Sequence, residues 1–142
     1  MRISDVLRVK GPAVASVDPG ISVSGLIDAL AEHNVGAMVV IDNEAVVGIV
    51  SERDIVRQLR ERGADLLNAR VAEIMTTSVV TCGPGDSVDS LAATMTERRI
   101  RHMPVVADGR LIGIVSIGDV VKSRIGELEN DRQQLESYIL RG

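Results

Sequence analysis

The 142-residue sequence predicts a mixed α/β fold: two β-α-β-β-α repeats related by a pseudo-twofold, followed by a C-terminal helix. Three observations predict it. Shifted by 65 residues, positions 16–56 fall on 81–121 without a gap, and 14 of those 41 pairs are identical. Within each copy the apolar residues alternate between helical spacing and short unbroken runs. Beyond the second copy a helical pattern runs on. Two copies are too few for a solenoid, which needs about three or more, so a pair sharing one core fits better.

The elements follow in order. A lead-in, Ile3-Ser4-Asp5-Val6-Leu7, parallels Val71-Ala72-Glu73-Ile74-Met75, with three extra residues in the first copy around Lys10-Gly11-Pro12. A short first strand then holds Ser16 in one copy and Thr81 in the other. Pro19-Gly20 and Pro84-Gly85 turn the chain, and Ser22 and Ser87 stand where they cap the next helix. Val23, Leu26, Ile27, Leu30 and Ala31 form a helical stripe, and Val88, Leu91, Ala92 and Met95 repeat it. The runs Met38–Ile41 and Val46–Val50 read as buried hairpin strands around Asp42-Asn43-Glu44. Met103–Val106 and Leu111–Val115 do the same around Ala107–Arg110. A second helix starts after Ser51 and after Ser116, and Gly63 stops the first of these. The expected division is repeat 1 over residues 1–63, a linker over 64–70, repeat 2 over 71–125 and a helical tail over 126–142. From Val121 through Ile125, Leu128, Arg132 and Leu135 to Ile139 the spacing is 4, 3, 4, 3, 4, a seam that packs on the core or on a second subunit.

Composition narrows the function. The chain has no Phe, no Trp and one Tyr, Tyr138, so it lacks platforms for stacking single-stranded nucleic acid. A net charge of −4 argues against binding a phosphate backbone. No apolar run approaches the roughly 18 residues of a membrane span, and the N-terminus has no apolar secretory core. The expectation is a cytoplasmic protein with no nucleic-acid or membrane partner. One cysteine, Cys82, makes neither a disulfide nor a metal cluster. There is no recognisable Ser–His–Asp arrangement and no Gly-Lys-Ser/Thr phosphate loop. Two histidines and one cysteine leave little acid–base equipment, so no enzyme activity, metal or obligatory cofactor is expected.

The repeats resemble a known family. Val71-Ala72-Glu73-Ile74-Met75-Thr76 is similar to the opening of a CBS domain. Gly48-Ile49-Val50-Ser51-Glu52-Arg53-Asp54 and Gly113-Ile114-Val115-Ser116-Ile117-Gly118-Asp119 resemble its Gly-h-h-Ser/Thr-x-x-Asp signature. Arg101-His102-Met103-Pro104-Val105-Val106 resembles its apolar strand after an X-Pro step. The resemblance covers residues 3–125. It implies a tandem CBS pair, a Bateman module of the stand-alone bacterial type. Such a module binds an adenine nucleotide (AMP, ADP, ATP or NAD) in clefts between the repeats and pairs into a homodimer. The signal would pass to an unidentified regulated protein. Two alternatives are a structural CBS protein without nucleotide and a sensor of another ligand such as S-adenosylmethionine.

Elementary chemistry fits these residues to that role. Gly48 ends a buried strand where a ligand could approach without meeting a Cβ. Ser51 lies where strand becomes helix, and helix N–H groups and dipole attract phosphate there. An Asp one turn along accepts hydrogen bonds from two ribose hydroxyls. The same Ser-x-x-Asp spacing is also a capping box. A lost cap costs about 1 kcal/mol of stability, whereas a lost ribose contact abolishes ligand binding.

The copies differ in charge. The loop before the middle strand reads His33-Asn34-Val35-Gly36-Ala37 in the first and Arg98-Arg99-Ile100-Arg101-His102 in the second. The resemblance implies that Arg101 and His102 reach phosphates at the site of Asp54, with Arg53 adding a contact. The site of Asp119 would face Gly36 and Ala37 and lack that charge. Arg98 and Arg99 read as solvated helix-end residues, and His33 reads as structural. Thr81 and Pro104 complete the candidate ligand-binding set of Ser51, Arg53, Asp54, Arg101, His102, Ser116 and Asp119. Aliphatic walls such as Ile49, Val105 and Ile114 would hold adenine, with backbone groups reading its edge.

Overall fold

The computed structural model describes residues 1–11 and 14–141. Pro12, in the three-residue insertion, lies outside the described residues. The first copy contains α1 (Ile3–Lys10), β1 (Ser16–Val17), α2 (Val23–His33), β2 (Ala37–Asp42), β3 (Ala45–Ser51) and α3 (Glu52–Arg62). A 3-10 turn, Gly63–Asn68, leads to α4 (Val71–Ile74), α5 (Val88–Arg98), β4 (His102–Ala107), β5 (Arg110–Ser116) and α6 (Ile117–Arg141).

The local signals explain the elements. Ser22 Oγ accepts the Gly25 N–H at 3.1 Å and Ser87 Oγ accepts the Ser90 N–H at 3.0 Å, capping α2 and α5. The hairpin turns place Asn43 and Glu44, and likewise Asp108 and Gly109, at positive φ, the two-residue geometry that matches strand twist. β2 pairs antiparallel with β3, and β4 with β5, in the same register. Of the α2 stripe, Val23, Leu26 and Leu30 are buried, whereas Ile27 and Ala31 face outward.

The first strand differs between copies. β1 pairs parallel with β2 through Ser16–Val39 and Val17–Val40. In the second copy the expected strand shrinks to one bridge at Cys82, whose N–H donates to Pro104 O and whose carbonyl accepts the Val106 N–H. Pro104 stands where the first copy has Val39. Proline has no N–H to offer the ladder, so Thr81 makes no strand.

Packing reveals an exchange that the linear repeat hides. One core joins Val23, Leu26, Leu30, Met38, Val40 and Val50 to Val71 and Ile74 of the second lead-in. The other joins Val88, Leu91, Met95, Met103, Val105, Val115 and Val120 to Ile3 and Val6 of the first lead-in. Each half is thus completed by the opening segment of the other. Residues 64–70, expected as a linker, form most of the 3-10 turn, and its fully buried Leu66 belongs to the first core. A leucine so placed contributes about 2 kcal/mol.

The helix after β5 runs unbroken across the expected boundary at 125/126 as the 25-residue α6, about 37 Å long. Val120 is its one buried residue. The seam does not pack on this chain's core: Val121 and Ile125 are 50% exposed and Leu128 and Leu135 62%.

Candidate functional site

A cleft of about 270 Å³ lies between the halves, near the lower end of small-ligand sites. The β3–α3 junction supplies Ser51, Glu52, Arg53, Asp54 and Arg57. The α5–β4 loop brings Arg99, Arg101 and His102 from the other half, and Pro104 follows from β4. Six of the nine candidates therefore meet: Ser51, Arg53, Asp54, Arg101, His102 and Pro104.

The other three lie elsewhere. Ser116 and Asp119 form the equivalent β5–α6 junction. Thr81 is exposed and outside the cleft lining. Val105 is fully buried in the second core, so the aliphatic part of the cleft is built by Ile49, Val79, Val80, Ile100 and Pro104 instead.

Three further points concern residues around the cleft. Gly36 and Ala37 line the Asp54 cleft, because strand register sets Ala37 opposite Ser51. Gly48 and Gly113 leave room for protein, not ligand. A Cβ on Gly48 would lie 2.6 Å from Met75 Sδ and 3.0 Å from Thr76 O, and one on Gly113 would lie 2.6 Å from Leu7. The glycines admit the exchanged lead-ins. Arg99 is exposed at the α5 C-cap, as expected of a helix-end arginine, and it also lines the cleft. Arg57, one turn beyond Arg53, is the other cleft arginine that sequence reasoning missed. The 3.6-residue spacing from Arg53 could have found it.

The Ser-x-x-Asp motif caps its helix in both copies. Ser51 N–H and Ser51 Oγ–H donate to Asp54 Oδ2 at 2.8 and 3.0 Å. Asp54 N–H reaches Ser51 Oγ at 3.4 Å, and Glu52 N–H donates to Gly36 O at 3.0 Å. Three N–H groups at this helix start, those of Ser51, Glu52 and Asp54, are thus already used, and anion attraction passes to the side chains. Among the described residues nothing donates a hydrogen bond to Asp54 Oδ1. Four arginines and His102 face two carboxylates, Glu52 and Asp54, a positive site in a chain of net charge −4.

At the second junction Ser116 N–H donates to Asp119 Oδ2 at 2.9 Å, and Asp119 N–H donates to Ser116 Oγ at 3.2 Å. Lys10 Nζ, from α1, also donates to Asp119 Oδ2, at 2.8 Å. Burial raises the Asp119 pKa, but the bonds from Lys10 and the Ser116 N–H outweigh it and hold the carboxyl below its usual value. Burial, then the charge of Lys10, lowers the pKa of His102. Burial pushes the Cys82 thiol up to about 11, which leaves it a poor nucleophile near neutral pH. Among the described residues no group of three or more His, Cys, Asp or Glu could hold a metal ion. Among the described residues no helix is long and apolar enough to cross a membrane.

Comparison with known proteins adds to this geometry. The sequence pattern of the CBS domain matches residues 3–61 and 71–126. The mitochondrial CBS domain-containing protein CBSX3 of Arabidopsis thaliana is 36% identical over 151 residues, covering 99% of this chain and 72% of its own length. The CBS domain-containing protein YhcV of Bacillus subtilis is 30% identical, covering 87% of each. Among solved structures, the CBS-domain containing protein ATU1752 from Agrobacterium tumefaciens gives a TM-score of 0.85 at 42% identity, over 87% of this chain and 99% of that one. The CBS domain pair of protein MJ0100, in complex with 5′-methylthioadenosine and S-adenosyl-L-methionine, gives 0.79 at 27% identity, over 89% and 98%.

Proposed function

This chain belongs to the CBS-domain family, and from that premise we propose that it is a regulatory module whose Asp54 cleft binds an adenine nucleotide: AMP, ADP, ATP or NAD. One observation carries the proposal: the cleft gathers the Asp54 carboxylate, an aliphatic wall and four arginines drawn from both halves. Asp54 accepts the ribose diol, the wall takes the base, and Arg53, Arg57, Arg99 and Arg101 neutralise phosphate. Arginine suits this work because its fork stays charged and meets phosphate oxygens two at a time. The adenosine-containing ligands of MJ0100 support the nucleoside half of the reading. The site binds and signals without catalysis. The reading includes a cytoplasmic location.

A second copy of the chain is the proposed first partner. Val56 and Leu59 on α3, and Val121, Ile125 and Leu128 on α6, are 48–66% exposed, two apolar helix faces at equivalent places in the repeats. A monomer by ultracentrifugation at micromolar concentration, with and without nucleotide, overturns the dimer. A regulated protein would receive the change in geometry, which requires the ligand to bind two states unequally.

The test is thermal shift and calorimetry with AMP, ATP, NAD and S-adenosylmethionine. A ligand at 100 times its Kd stabilises the fold by about 2.7 kcal/mol. Arg101→Ala should weaken AMP or ATP by roughly 10- to 150-fold, the loss of one charge-assisted hydrogen bond. A response to S-adenosylmethionine alone, untouched by Arg101→Ala, replaces the nucleotide with that ligand. No response to any of the four leaves a structural CBS protein.

A further inference from the structure

α6 outruns the repeat that it closes. The CBS-domain match ends at residue 126, and the helix continues to Arg141. Its first turns are tied down: Val120 is buried, and Arg124 bonds Asp89 of α5 at 3.1 Å. From Leu128 to Arg141 every residue is exposed, about 21 Å of helix. A helix that long is marginal in water without a packed face, so the tail requires cover.

The pattern of the seam says what covers it. Ile125, Arg132 and Ile139 fall at the a positions of a heptad, and Val121, Leu128 and Leu135 at d. β-branched residues at a with leucine at d favour two parallel strands, and a single polar residue at a fixes their register. The seam lies about 100° around the helix from Val120, so it stays open when α6 packs on its own core.

Charge selects the same arrangement. Arg132 Nε donates to Glu136 Oε1 on its own helix at 3.1 Å. In a parallel in-register pair the a side chain passes beside the preceding g residue of the other strand, here Asp131 of the partner subunit. Each guanidinium then lies between two carboxylates. An antiparallel pair would set Glu129 against Glu136 of the partner subunit, like charge on like, and stack Arg132 on leucine.

We propose that the α6 tails of two chains pair as a parallel, in-register two-stranded coil through Ile125, Leu128, Leu135 and Ile139, with Arg132 setting the register. The seam spans fewer than about three heptads, short for an independent zipper. The exposed faces around Val56 and Leu59 hold the two tails close and raise their effective concentration. The inference therefore rests on the reading of a second copy as partner. It sets α6 against α6 of the partner subunit and sends both tails out at one end.

Cross-linking and sedimentation of the full chain test it. Leu128→Cys and Ile139→Cys are each combined with Cys82→Ala, so that every chain carries one thiol. Under mild oxidation each variant should form a disulfide dimer by itself. In sedimentation, Leu135→Glu should weaken the dimer roughly tenfold or more. Arg132→Ile removes the charged layer and should tighten it. Both positions are exposed on the single chain, so sedimentation covers a cysteine variant that fails to fold. Disulfides that form only when the two cysteine variants are mixed overturn the proposal, because antiparallel strands bring position 128 against 139. A folded dimer that cross-links in neither variant overturns it, as does one that Arg132→Ile weakens. A dimer indifferent to Leu135→Glu overturns it too and leaves the tail for a different protein. All of these results leave the second-copy reading standing. A monomer at micromolar concentration overturns that reading and this proposal with it.

Discussion

Replacing Asp54 with alanine separates two roles that one carboxylate performs. Its Oδ2 closes the capping box through Ser51 N–H at 2.8 Å and Ser51 Oγ–H at 3.0 Å. Loss of that cap costs about 1 kcal/mol, and loss of a negative charge beside the α3 N-terminus adds about 0.3–1 kcal/mol. For a chain near this size each kcal/mol lowers the melting temperature by about 2–4 °C, so Asp54→Ala should melt about 3–8 °C below wild type. The nucleotide loses more. Two ribose hydroxyls donating to a charged acceptor are worth about 1.5–3 kcal/mol each. The variant should therefore bind AMP roughly 100- to 10,000-fold more weakly, at about 1.4 kcal/mol per decade. Ser51→Ala is the control. It removes the same cap, costs a similar drop in melting temperature, and should change AMP affinity less than about tenfold. Scanning fluorimetry of the free proteins and calorimetry with AMP give both numbers. If Asp54→Ala and Ser51→Ala lose equal stability and bind AMP as the wild type does, Asp54 is a cap and nothing more.

Gly48→Ala should destabilise by about 1–3 kcal/mol in urea unfolding, because the new methyl meets the backbone oxygen of Thr76 at 3.0 Å as well as Met75. Gly113→Ala meets only the end of the Leu7 side chain, which can turn away, and should cost less; equal losses would refute the assignment of Gly48 to backbone clearance. Stability should also depend on the Lys10–Asp119 pair in acid. Asp119 lies below its ordinary pKa in the folded chain, so the unfolded chain takes up the proton first as pH falls. The pair's contribution is full above the unfolded value of about 4 and fades as pH drops through the lower folded value. The stability gap between wild type and Lys10→Met should be flat from about pH 5 to 7 and close below about pH 4. A gap that widens in acid contradicts the assignment.

Much of the site was legible because its parts are local. Ser51 and Asp54 lie one helical turn apart, and that spacing alone places both at the start of α3. The basic loop stood out against its own repeat, Arg101 and His102 opposite Gly36 and Ala37. Arg99 is solvated, as helix-end arginines ordinarily are, and still lines the cleft. Its left-handed cap, at φ 56, ends α5 just before the loop that carries Arg101 and His102, and no residue type announces that this loop meets the other half. Thr81 lies outside the cleft lining and outside any strand, because Pro104 lacks the N–H that the ladder needs one strand away.

The sequence by itself determined the repeat, the order of helices and strands, the caps and the hairpins, since each depends on residues within a turn or two of one another. Only the tertiary structure decided which half each lead-in completes, since Ile3 and Val71 are buried against opposite copies and either pairing satisfies the same apolar pattern. It also decided that Gly48 and Gly113 make room for the chain itself, that the α6 seam stays off this chain's core, and that Lys10 reaches Asp119. These contacts join residues far apart in the chain. Their free energy comes from surfaces brought together by packing, and a local pattern of residues carries no record of which surface it will meet.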